Sequence, residues 1–334
     1  MTQRIRLTLG LAIALLVGIS CHENNEGPAE PSASASEPSL ATTATAGNTW
    51  MTMRSLSPQR WAGAAAAVSG KVYIVGGAVQ GMVVGRVDAY NIATNTWSRM
   101  ANMPSPRIYI NGATVIDGKI YVSGGKNNNN VWTKTLYVYN PSTNSWTRKA
   151  DMPRSSCGPG AQGLIGTRLY VYTGCVSRTN MGAVFFRYNP STNTWVKRAP
   201  PPTDHVSGGV GVAINGKFYL TDGFTCCDGN NHQLDVYNPS TNSWTARPGR
   251  GTMSATGAVL NGQLYVIGGE GDTWNRSVYA YDPAANRWTT KASMPSGSSQ
   301  GAAATAGGKT YYVEGSSMTI PYTSLPSKFY RYTP

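Results

Sequence analysis

Near its middle the sequence reads Tyr139-Asn140-Pro141-Ser142-Thr143-Asn144-Ser145-Trp146, and close copies of this stretch recur along the chain. The Asn-x-Trp ending occurs six times, with steps of 47, 49, 49, 49 and 44 residues between successive tryptophans. A period near 50 residues, with several short strands in each unit, is typical of a propeller blade. The sequence therefore predicts an all-β, six-bladed β-propeller. The repeated tryptophans are Trp50, Trp97, Trp146, Trp195, Trp244 and Trp288.

Two tyrosines accompany each repeat. One lies seven residues before the tryptophan, and the other lies in an apolar run such as Lys71–Val75, which Gly76-Gly77 follows. Because both tyrosines recur in register with the blades, we expect them to pack between blades rather than to bind a ligand. The first set is Tyr90, Tyr139, Tyr188, Tyr237 and Tyr281, and the second is Tyr73, Tyr121, Tyr170, Tyr219, Tyr265 and Tyr311.

The double glycine after a strand and the Tyr-x(6)-Trp spacing resemble the kelch family over residues 48–334. The double glycine is present at 76–77, 124–125 and 268–269. The resemblance implies a kelch-type propeller, a fold that hosts enzymes, lectin-like binders and scaffolds alike. Three repeats depart from the double glycine and mark places to look for function: Gly174-Cys175, Asp222-Gly223 and Glu314-Gly315.

The two ends of the repeat region complement each other. The chain stops after Tyr330–Pro334 with no Asn-x-Trp behind it, whereas Asn48-Thr49-Trp50 stands alone at the other end. We therefore expect the N-terminal strand to complete the last blade, which would close the ring and remove two exposed sheet edges.

The first residues resemble an export signal. Arg4 and Arg6 precede the apolar stretch 7–19, and Ser20-Cys21 follows. This pattern predicts a signal peptide over 1–20. The run 18–21 resembles a lipoprotein box with Cys21 as the lipidated residue; ordinary cleavage is the alternative. Residues 21–47, rich in Ser, Ala, Thr, Pro and Glu, read as a tether to the propeller at 48–334.

Charge and hydropathy narrow the partners. From residue 48 on, 26 Lys and Arg face 11 Asp and Glu, a net charge of +15, which favours anionic partners or merely keeps the domain soluble. No apolar run after residue 20 is long enough to span a membrane. We expect a monomer in the cell envelope, held to the membrane only by a lipid anchor. We expect no nucleic-acid partner, since the chain is expected to be exported and carries no known nucleic-acid motif.

The variable loops indicate the binding face. We call the four strands of a blade a, b, c and d in chain order. The a–b and c–d turns are short and nearly identical between repeats. The b–c and d–a loops vary and emerge on the opposite face, which we call the loop face and where binding residues concentrate. Aromatic rings stack on sugars, and guanidinium groups pair with carboxylates. We therefore predict a glycan, a sugar acid or an envelope protein as the ligand. The predicted ligand-binding residues are Arg60, Trp61, Arg107, Tyr109, Arg154, Trp132, Trp274 and Arg276.

The sequence favours binding over catalysis, because no nucleophile elbow, phosphate loop or metalloprotease helix is present. Size and expected export also resemble the sialic acid mutarotase class of kelch propellers. That resemblance implies a sugar-acid substrate, with Arg60 and Arg107 as carboxylate clamps and an acid/base residue among Glu314, Asp222 and Glu270. A local hydrogen bond is the simpler role for Asp222 and Glu314. We predict no cofactor. We also do not expect the copper chemistry of galactose-oxidase-like propellers.

Four cysteines follow Cys21, and export would permit disulfides. Cross-strand pairing about the Gly166-Thr167 turn places Cys157 beside Cys175. This leaves the adjacent pair Cys226 and Cys227 for a vicinal disulfide, a strained ring of the kind found at functional sites. Alternatively, Cys226 or Cys227 bridges to Cys175. A metal site built from residues 205, 226–228 and 232 lacks a standard ligand spacing, so we predict no metal.

Overall fold

The computed structural model describes residues 47–156, 158, 160–174, 184–202, 208–225, 229–230, 232–270, 275–315 and 327–334. These residues form strands and turns, and no helix among them is long and apolar enough to cross a membrane. The strands are β1 (Thr49–Leu56), β2 (Ala64–Val68), β3 (Lys71–Val75), β4 (Ala78–Val79), β5 (Met82–Val83), β6 (Val87–Asn91), β7 (Thr96–Met100), β8 (Ala113–Ile116), β9 (Lys119–Ser123), β10 (Leu136–Asn140), β11 (Ser145–Lys149), β12 (Ala161–Ile165), β13 (Arg168–Tyr172), β14 (Phe185–Asn189), β15 (Thr194–Arg198), β16 (Val210–Ile214), β17 (Lys217–Thr221), β18 (Phe224–Thr225), β19 (Gly229–Asn230), β20 (Gln233–Asn238), β21 (Ser243–Pro248), β22 (Thr256–Leu260), β23 (Gln263–Ile267), β24 (Val278–Asp282), β25 (Arg287–Lys291), β26 (Ala302–Ala306), β27 (Lys309–Val313) and β28 (Ser327–Thr333).

Six four-stranded antiparallel sheets form the blades, which confirms the predicted six-bladed propeller. From the centre outward, blade 1 is β2-β3-β6-β7, blade 2 is β8-β9-β10-β11 and blade 3 is β12-β13-β14-β15. Blade 4 is β16-β17-β20-β21, blade 5 is β22-β23-β24-β25 and blade 6 is β26-β27-β28-β1. The innermost strands contact one another in cyclic order, β26 returning to β2, so they surround a central channel.

The ring is joined by strands from both ends of the chain. Strand β1 lies outermost in blade 6 and pairs antiparallel with β28, with Thr49 opposite Thr333 and Trp50 opposite Tyr332. The outer edge of the last blade is therefore supplied by the first strand of the propeller.

Tyrosines from the second and third strands pack blade against blade. Tyr73 of blade 1 lies 5.9 Å, centroid to centroid, from Tyr139 of blade 2. Both rings are buried, so each interface gains the apolar burial that dominates core stability. The equivalent pairs are Tyr121–Tyr188 (6.3 Å), Tyr170–Tyr237 (5.8 Å), Tyr219–Tyr281 (6.1 Å), Tyr265–Tyr332 (5.7 Å) and Tyr311–Tyr90 (6.1 Å).

The Asn-x-Trp motif holds the backbone of one residue in the preceding blade, a contact we call a clasp. In blade 2, the Ala101 amide donates to Asn144 Oδ1 at 2.8 Å, and Trp146 Nε1 donates to the Ala101 carbonyl at 3.0 Å. Tyr139 also donates its hydroxyl to Asn144 Oδ1 at 2.7 Å. Burial raises the pKa of Tyr139 to about 12, so this hydroxyl stays protonated at neutral pH. The Asn-x-Trp motif therefore has a structural role, because it fastens a blade to the preceding one.

The clasp recurs in blades 1, 2, 3, 4 and 6 with both bonds. Blade 5 departs from it, because Trp288 Nε1 reaches the carbonyl of Pro248 at 2.8 Å and proline has no N–H to offer Asn286. All six motif asparagines have positive φ, a conformation that asparagine tolerates. The residues whose backbone the other complete clasps hold are Arg54 (held by Asn95 and Trp97), Ala150 (by Asn193 and Trp195), Ala199 (by Asn242 and Trp244) and Ala292 (by Asn48 and Trp50).

The double glycine serves close packing of neighbouring segments. Gly77 has φ of +91°, its amide donates to the Arg107 carbonyl at 2.7 Å, and a Cβ there would lie 2.6 Å from the Trp61 carbonyl. Any larger residue would push the incoming loop away from the blade. The loop face is thus held tightly against the blades beneath it.

Candidate functional site

The channel mouth is formed by the residues that enter each inner strand. Ala62, Tyr109, Gly208, Ser254 and Gln300 all have positive φ. Backbone hydrogen bonds link four of them head to tail: Gln300 N to Ser254 O (2.9 Å), Ala62 N to Gln300 O (2.8 Å) and Tyr109 N to Ala62 O (2.9 Å). This chain of bonds runs through blades 5, 6, 1 and 2 and fixes that part of the mouth on the loop face.

The channel below the mouth has a volume of about 380 Å³ and is lined by the six inner strands. None of the described residues that line it carries a charge. Its two amide side chains, Asn111 and Gln162, are buried and engaged with the protein: Ser123 donates to Gln162 at 2.6 Å and Ser156 donates to Asn111 at 2.9 Å. The walls are otherwise mostly alanine, glycine, valine and threonine.

An aromatic row, Trp61, Tyr109 and Trp132, lies beside the mouth. The ring centroids of Trp61 and Tyr109 are 5.9 Å apart, and those of Tyr109 and Trp132 are 6.1 Å apart. All three residues are half-buried, and Lys126 Nζ lies 5.6 Å from the centre of the Trp132 ring. The structure thus brings together three of the predicted ligand-binding residues from blades 1 and 2.

Small hairpins hold the row in place. Lys126 pairs with both Ile108 and Trp132, so the b–c loop of blade 2 is joined to the chain that carries Tyr109. The turn of this hairpin is closed by Asn127, whose Oδ1 accepts the Val131 amide at 2.9 Å. In blade 1, Trp61 pairs with Ala78 of the β4–β5 hairpin. Side chains of the row therefore project from paired backbone.

The structure corrects the prediction that Arg60 binds the carboxylate of a ligand. Its side chain is buried, its guanidinium is ion-paired with Asp88, and Nη1 donates to the Arg86 carbonyl at 3.0 Å. Arg86 also donates Nε to Asp88 at 2.7 Å. Burial, with a smaller effect from Arg86, lowers the pKa of Arg60 to about 9, so it remains a cation at neutral pH. The pair stabilises blade 1 beneath Trp61.

Arg107, the second predicted clamp, is also turned into the protein. It is buried, and it donates from Nη1 to the Pro106 carbonyl at 2.9 Å and from Nη2 to Thr135 at 3.2 Å. Burial lowers its pKa. Arg154 is half-buried, whereas Arg276 is exposed and donates Nε to the Met294 carbonyl at 2.6 Å. The four arginines do not converge on the mouth or the channel.

Asp222 holds the loop that enters blade 5. It is fully buried and accepts hydrogen bonds from the Gly251 amide (2.9 Å), the Arg250 amide (3.3 Å) and the Thr252 hydroxyl (2.9 Å). Burial raises its pKa, although these donors oppose the shift. Its φ of +62° shows that it occupies the conformation of the first glycine in other repeats. This geometry gives Asp222 a structural role.

The other two candidate acids also contact the protein. Glu314 is buried and accepts the Ser296 hydroxyl at 2.5 Å, and Ser296 lies 2.7 Å from the Tyr330 hydroxyl. Glu270 is half-buried, and its backbone pairs with Met253. Neither side chain lines the mouth or the channel.

Several predicted residues fall outside the described part of the chain: Cys21, Cys157, Cys175, Cys226, Cys227 and Trp274. The disulfide and lipidation assignments stay predictions. Within the described ranges there is no group of three or more His, Cys, Asp or Glu side chains placed to hold a metal.

Ser254 and Gln300 were missed by sequence reasoning. Both line the mouth and lie two residues before an inner strand, as Ala62 and Gly208 do. Their common position before an inner strand could have identified them. Serine and glutamine at that position share no chemistry with the alanine and glycine of other blades, so the sequence pattern did not point to them.

The family model of the KLHDC2/KLHL20/DRC7 Kelch-repeats domain matches residues 39–163 and 112–316. F-box/kelch-repeat protein At5g03020 of Arabidopsis thaliana is 46% identical over 55 residues, which is 16% of each chain. Kelch-like protein 33 of Homo sapiens is 33% identical over 76 residues, 23% of this chain and 14% of that protein. The matches to the curated relatives span a quarter of their length or less.

Among solved structures, that of YjhT superposes with a TM-score of 0.67 at 16% sequence identity. The superposition covers 83% of this chain and 95% of YjhT. At this identity the likeness shows the fold alone.

Proposed function

The chain belongs to the kelch-repeat family, and from this premise we propose that it is a carbohydrate-binding propeller whose ligand lies along the aromatic row. The observation that carries the proposal is the contiguity of Trp61, Tyr109 and Trp132, which are half-exposed beside the channel mouth. Unlike the tryptophans that recur in all six repeats, Trp61 and Tyr109 have no aromatic residue at the equivalent position of another blade, and Trp132 shares its position in the sequence with Trp274 of blade 5 alone. Rigid aromatic surfaces with one wet side suit the apolar faces of sugar rings, while nearby polar groups orient hydroxyls.

Binding to a panel of immobilised glycans tests the proposal with the full chain. Trp132→Ala should lower affinity for a bound glycan about tenfold, equivalent to ~1.4 kcal/mol, and Trp132→Phe should retain most of it because the ring persists. Val131→Ala is the matched control: Val131 is the adjacent residue and is 55% exposed. Equal binding by wild type and Trp132→Ala would contradict the proposal.

A protein partner is the second candidate, and exposed apolar side chains favour it. Met82 and Val131, at 63% and 55% exposure, lie in the b–c hairpins of blades 1 and 2. Such residues suit a protein interface better than a sugar. If Met82→Ala and Val131→Ala weaken capture of a partner while no glycan binds, the face serves protein recognition.

The mutarotase-like alternative has less support from the geometry. Ring opening of a sugar acid needs a proton donor and acceptor beside the sugar, with a cation for its carboxylate. Among described residues the channel and its mouth present neither a carboxylate nor an arginine. A mutarotation assay by NMR with N-acetylneuraminate tests this alternative: acceleration that Glu314→Gln abolishes would restore it.

We also propose that the chain is exported and anchored by lipid at Cys21. The support is the basic start, the apolar stretch 7–19 and the run ending in Cys21. Metabolic labelling with a fatty-acid probe should mark the wild type and not Cys21→Ser. Labelling that persists in Cys21→Ser would contradict the anchor.

A further inference from the structure

The face opposite the loop face, which we call the turn face, is built from short turns. Each a–b turn has two residues, and each c–d turn of blades 1 to 5 has four. All of these turns lie in the described part of the chain. Turns this short leave the turn face low and even, so a flat partner could approach it closely.

Basic side chains repeat around the channel on the turn face. The first residue of strand b is Lys or Arg in every blade except blade 5, where it is Gln263. Because strand b lies next to the inner strand, these residues surround the end of the channel away from the mouth. Two of them, Lys119 and Lys217, are exposed, and the others are half-buried. We call this set the basic ring, and its members are Lys71, Lys119, Arg168, Lys217 and Lys309.

The lysines of the basic ring recur with the blades, as the clasp tryptophans do, but their side chains stabilise no contact of the fold. Among the described residues none of these four lysines makes an ion pair or a side-chain hydrogen bond. Arg168 donates Nη1 to the neighbouring Thr167 hydroxyl at 2.9 Å. The turn face also carries Arg287 and the carboxylates Asp117 and Asp282. Cationic side chains therefore outnumber anionic ones there, and the lysines are available to a partner.

The chain enters the propeller on the turn face. Strand β1 is strand d of blade 6, and the d strands begin on the face where the c–d turns lie. Asn48, just before β1, is fixed there, because its Oδ1 accepts the Ala292 amide at 2.7 Å and the Tyr332 hydroxyl at 2.8 Å. A lipid on Cys21 would therefore be connected to the propeller at the turn face.

We propose that the turn face docks on an anionic lipid bilayer through the basic ring, so that the loop face points away from the membrane. Anionic headgroups attract Lys and Arg side chains, and at physiological ionic strength the attraction extends only about 8 Å. A basic surface must therefore be flat to profit from it, as the turn face is. The inference rests on the proposed lipid anchor and adds an orientation to it, one that leaves the aromatic row free for a glycan.

Lysine footprinting tests the orientation on the full-length wild type. The protein is reconstituted with vesicles of phosphatidylcholine and phosphatidylglycerol, or with vesicles of phosphatidylcholine alone, and is labelled with acetic anhydride. On the anionic vesicles Lys119 and Lys217 should react about tenfold more slowly than on the neutral ones, and raised salt should remove this protection. Lys134 and Lys328 are equally exposed but lie at the loop-face ends of c strands, so they should react alike on both vesicles.

Charge reversal adds a second measurement with a matched control. In a mixture of anionic and neutral vesicles the lipid anchor favours neither, so the ratio of bound protein reports the docking alone. The double variant Lys119→Glu, Lys217→Glu should lower this preference for anionic vesicles about tenfold. The double variant Lys134→Glu, Lys328→Glu changes the net charge equally on the loop face and should keep the preference.

The outcomes separate the docking from the anchor. Equal reactivity of Lys119 on the two kinds of vesicle, or protection of Lys134 in its place, would overturn the docking. An equal loss of preference in both double variants would also overturn it, since net charge alone would then be responsible. If fatty-acid labelling fails while the protection of Lys119 and Lys217 persists, the anchor fails and the docking stands. If the lipid is present without that protection, the anchor stands and the docking fails.

Discussion

Tryptophan has opposite roles in two regions of the propeller: the outer strands that carry the clasps, which we call the rim, and the loop face. At the rim, Trp146 and its five counterparts donate to a backbone carbonyl of the preceding blade, in register with the repeat. On the loop face, Trp61 and Trp132 contact Tyr109 in blades 1 and 2, and neither tryptophan recurs in all six repeats. The comparison teaches that tryptophans repeated in register hold the ring together, whereas tryptophans outside the register are the ones available for a ligand.

The largest expected effect comes from making the same substitution in both regions. Trp146→Ala should lower the free energy of unfolding by about 3–4 kcal/mol, because it removes a half-buried ring that packs against the core of blades 1 and 2 together with a clasp hydrogen bond. Trp132→Ala, in a half-exposed loop, should cost about 1 kcal/mol or less. Urea denaturation followed by tryptophan fluorescence measures both. Similar losses at the two positions would erase the distinction between rim and face.

A second test asks whether Arg60 belongs to the scaffold although it adjoins Trp61. Asp88→Asn should cost about 3 kcal/mol, because it leaves the buried Arg60 cation without its counter-ion. Asp151→Asn breaks the exposed pair with Arg148 and should change stability little. Thermal unfolding compares the two. A loss confined to ligand binding in Asp88→Asn, with stability unchanged, would return Arg60 to the binding site.

A third test sharpens the account of the clasp itself. Asn144 accepts from both Tyr139 and Ala101, whereas the bond from blade 4 is missing at Asn286 because Pro248 has no N–H. Asn144→Gly should therefore cost about 1 kcal/mol more than Asn286→Gly. Glycine keeps the positive φ at both sites, so the difference reports the extra hydrogen bond. Equal costs would mean that the amide contact contributes nothing.

The smallest expected effect concerns Asp222, which lies near the loop face but has a structural role, because it holds the loop that enters blade 5. Burial raises its pKa, so between the unfolded value of 3.8 and the raised folded value the folded state binds more protons. Stability from this group is present below that window and is lost as pH rises through it. Asp222→Asn should remove this decline when unfolding free energies are compared across pH. Parallel pH profiles would contradict the assignment.

Sequence periodicity predicted the scaffold well for a physical reason. Blade contacts are repeated, so the tyrosines, tryptophans and turn glycines each appear six times or nearly so. The a–b turn at Asn215-Gly216, for example, has positive φ at both residues, as its hairpin type requires.

The site was less accessible from sequence because it depends on single contacts between distant residues. Arg60 read as an exposed loop cation, since its partner Asp88 lies 28 residues away on another strand and nothing in the spacing indicates the pairing. Gln300 and Ser254 gave no chemical pattern at all. Trp61, Tyr109 and Trp132 were identifiable, because aromatic residues in variable loops stand out against the repeat.

One measurement tests the central claim most directly: a glycan array probed with the full-length wild type, Trp132→Ala and Val131→Ala side by side. The account predicts binding of wild type and Val131→Ala to the same glycans, and loss of that signal in Trp132→Ala. Binding that Trp132→Ala retains in full, or an array on which wild type binds nothing, would contradict a carbohydrate site on the aromatic row.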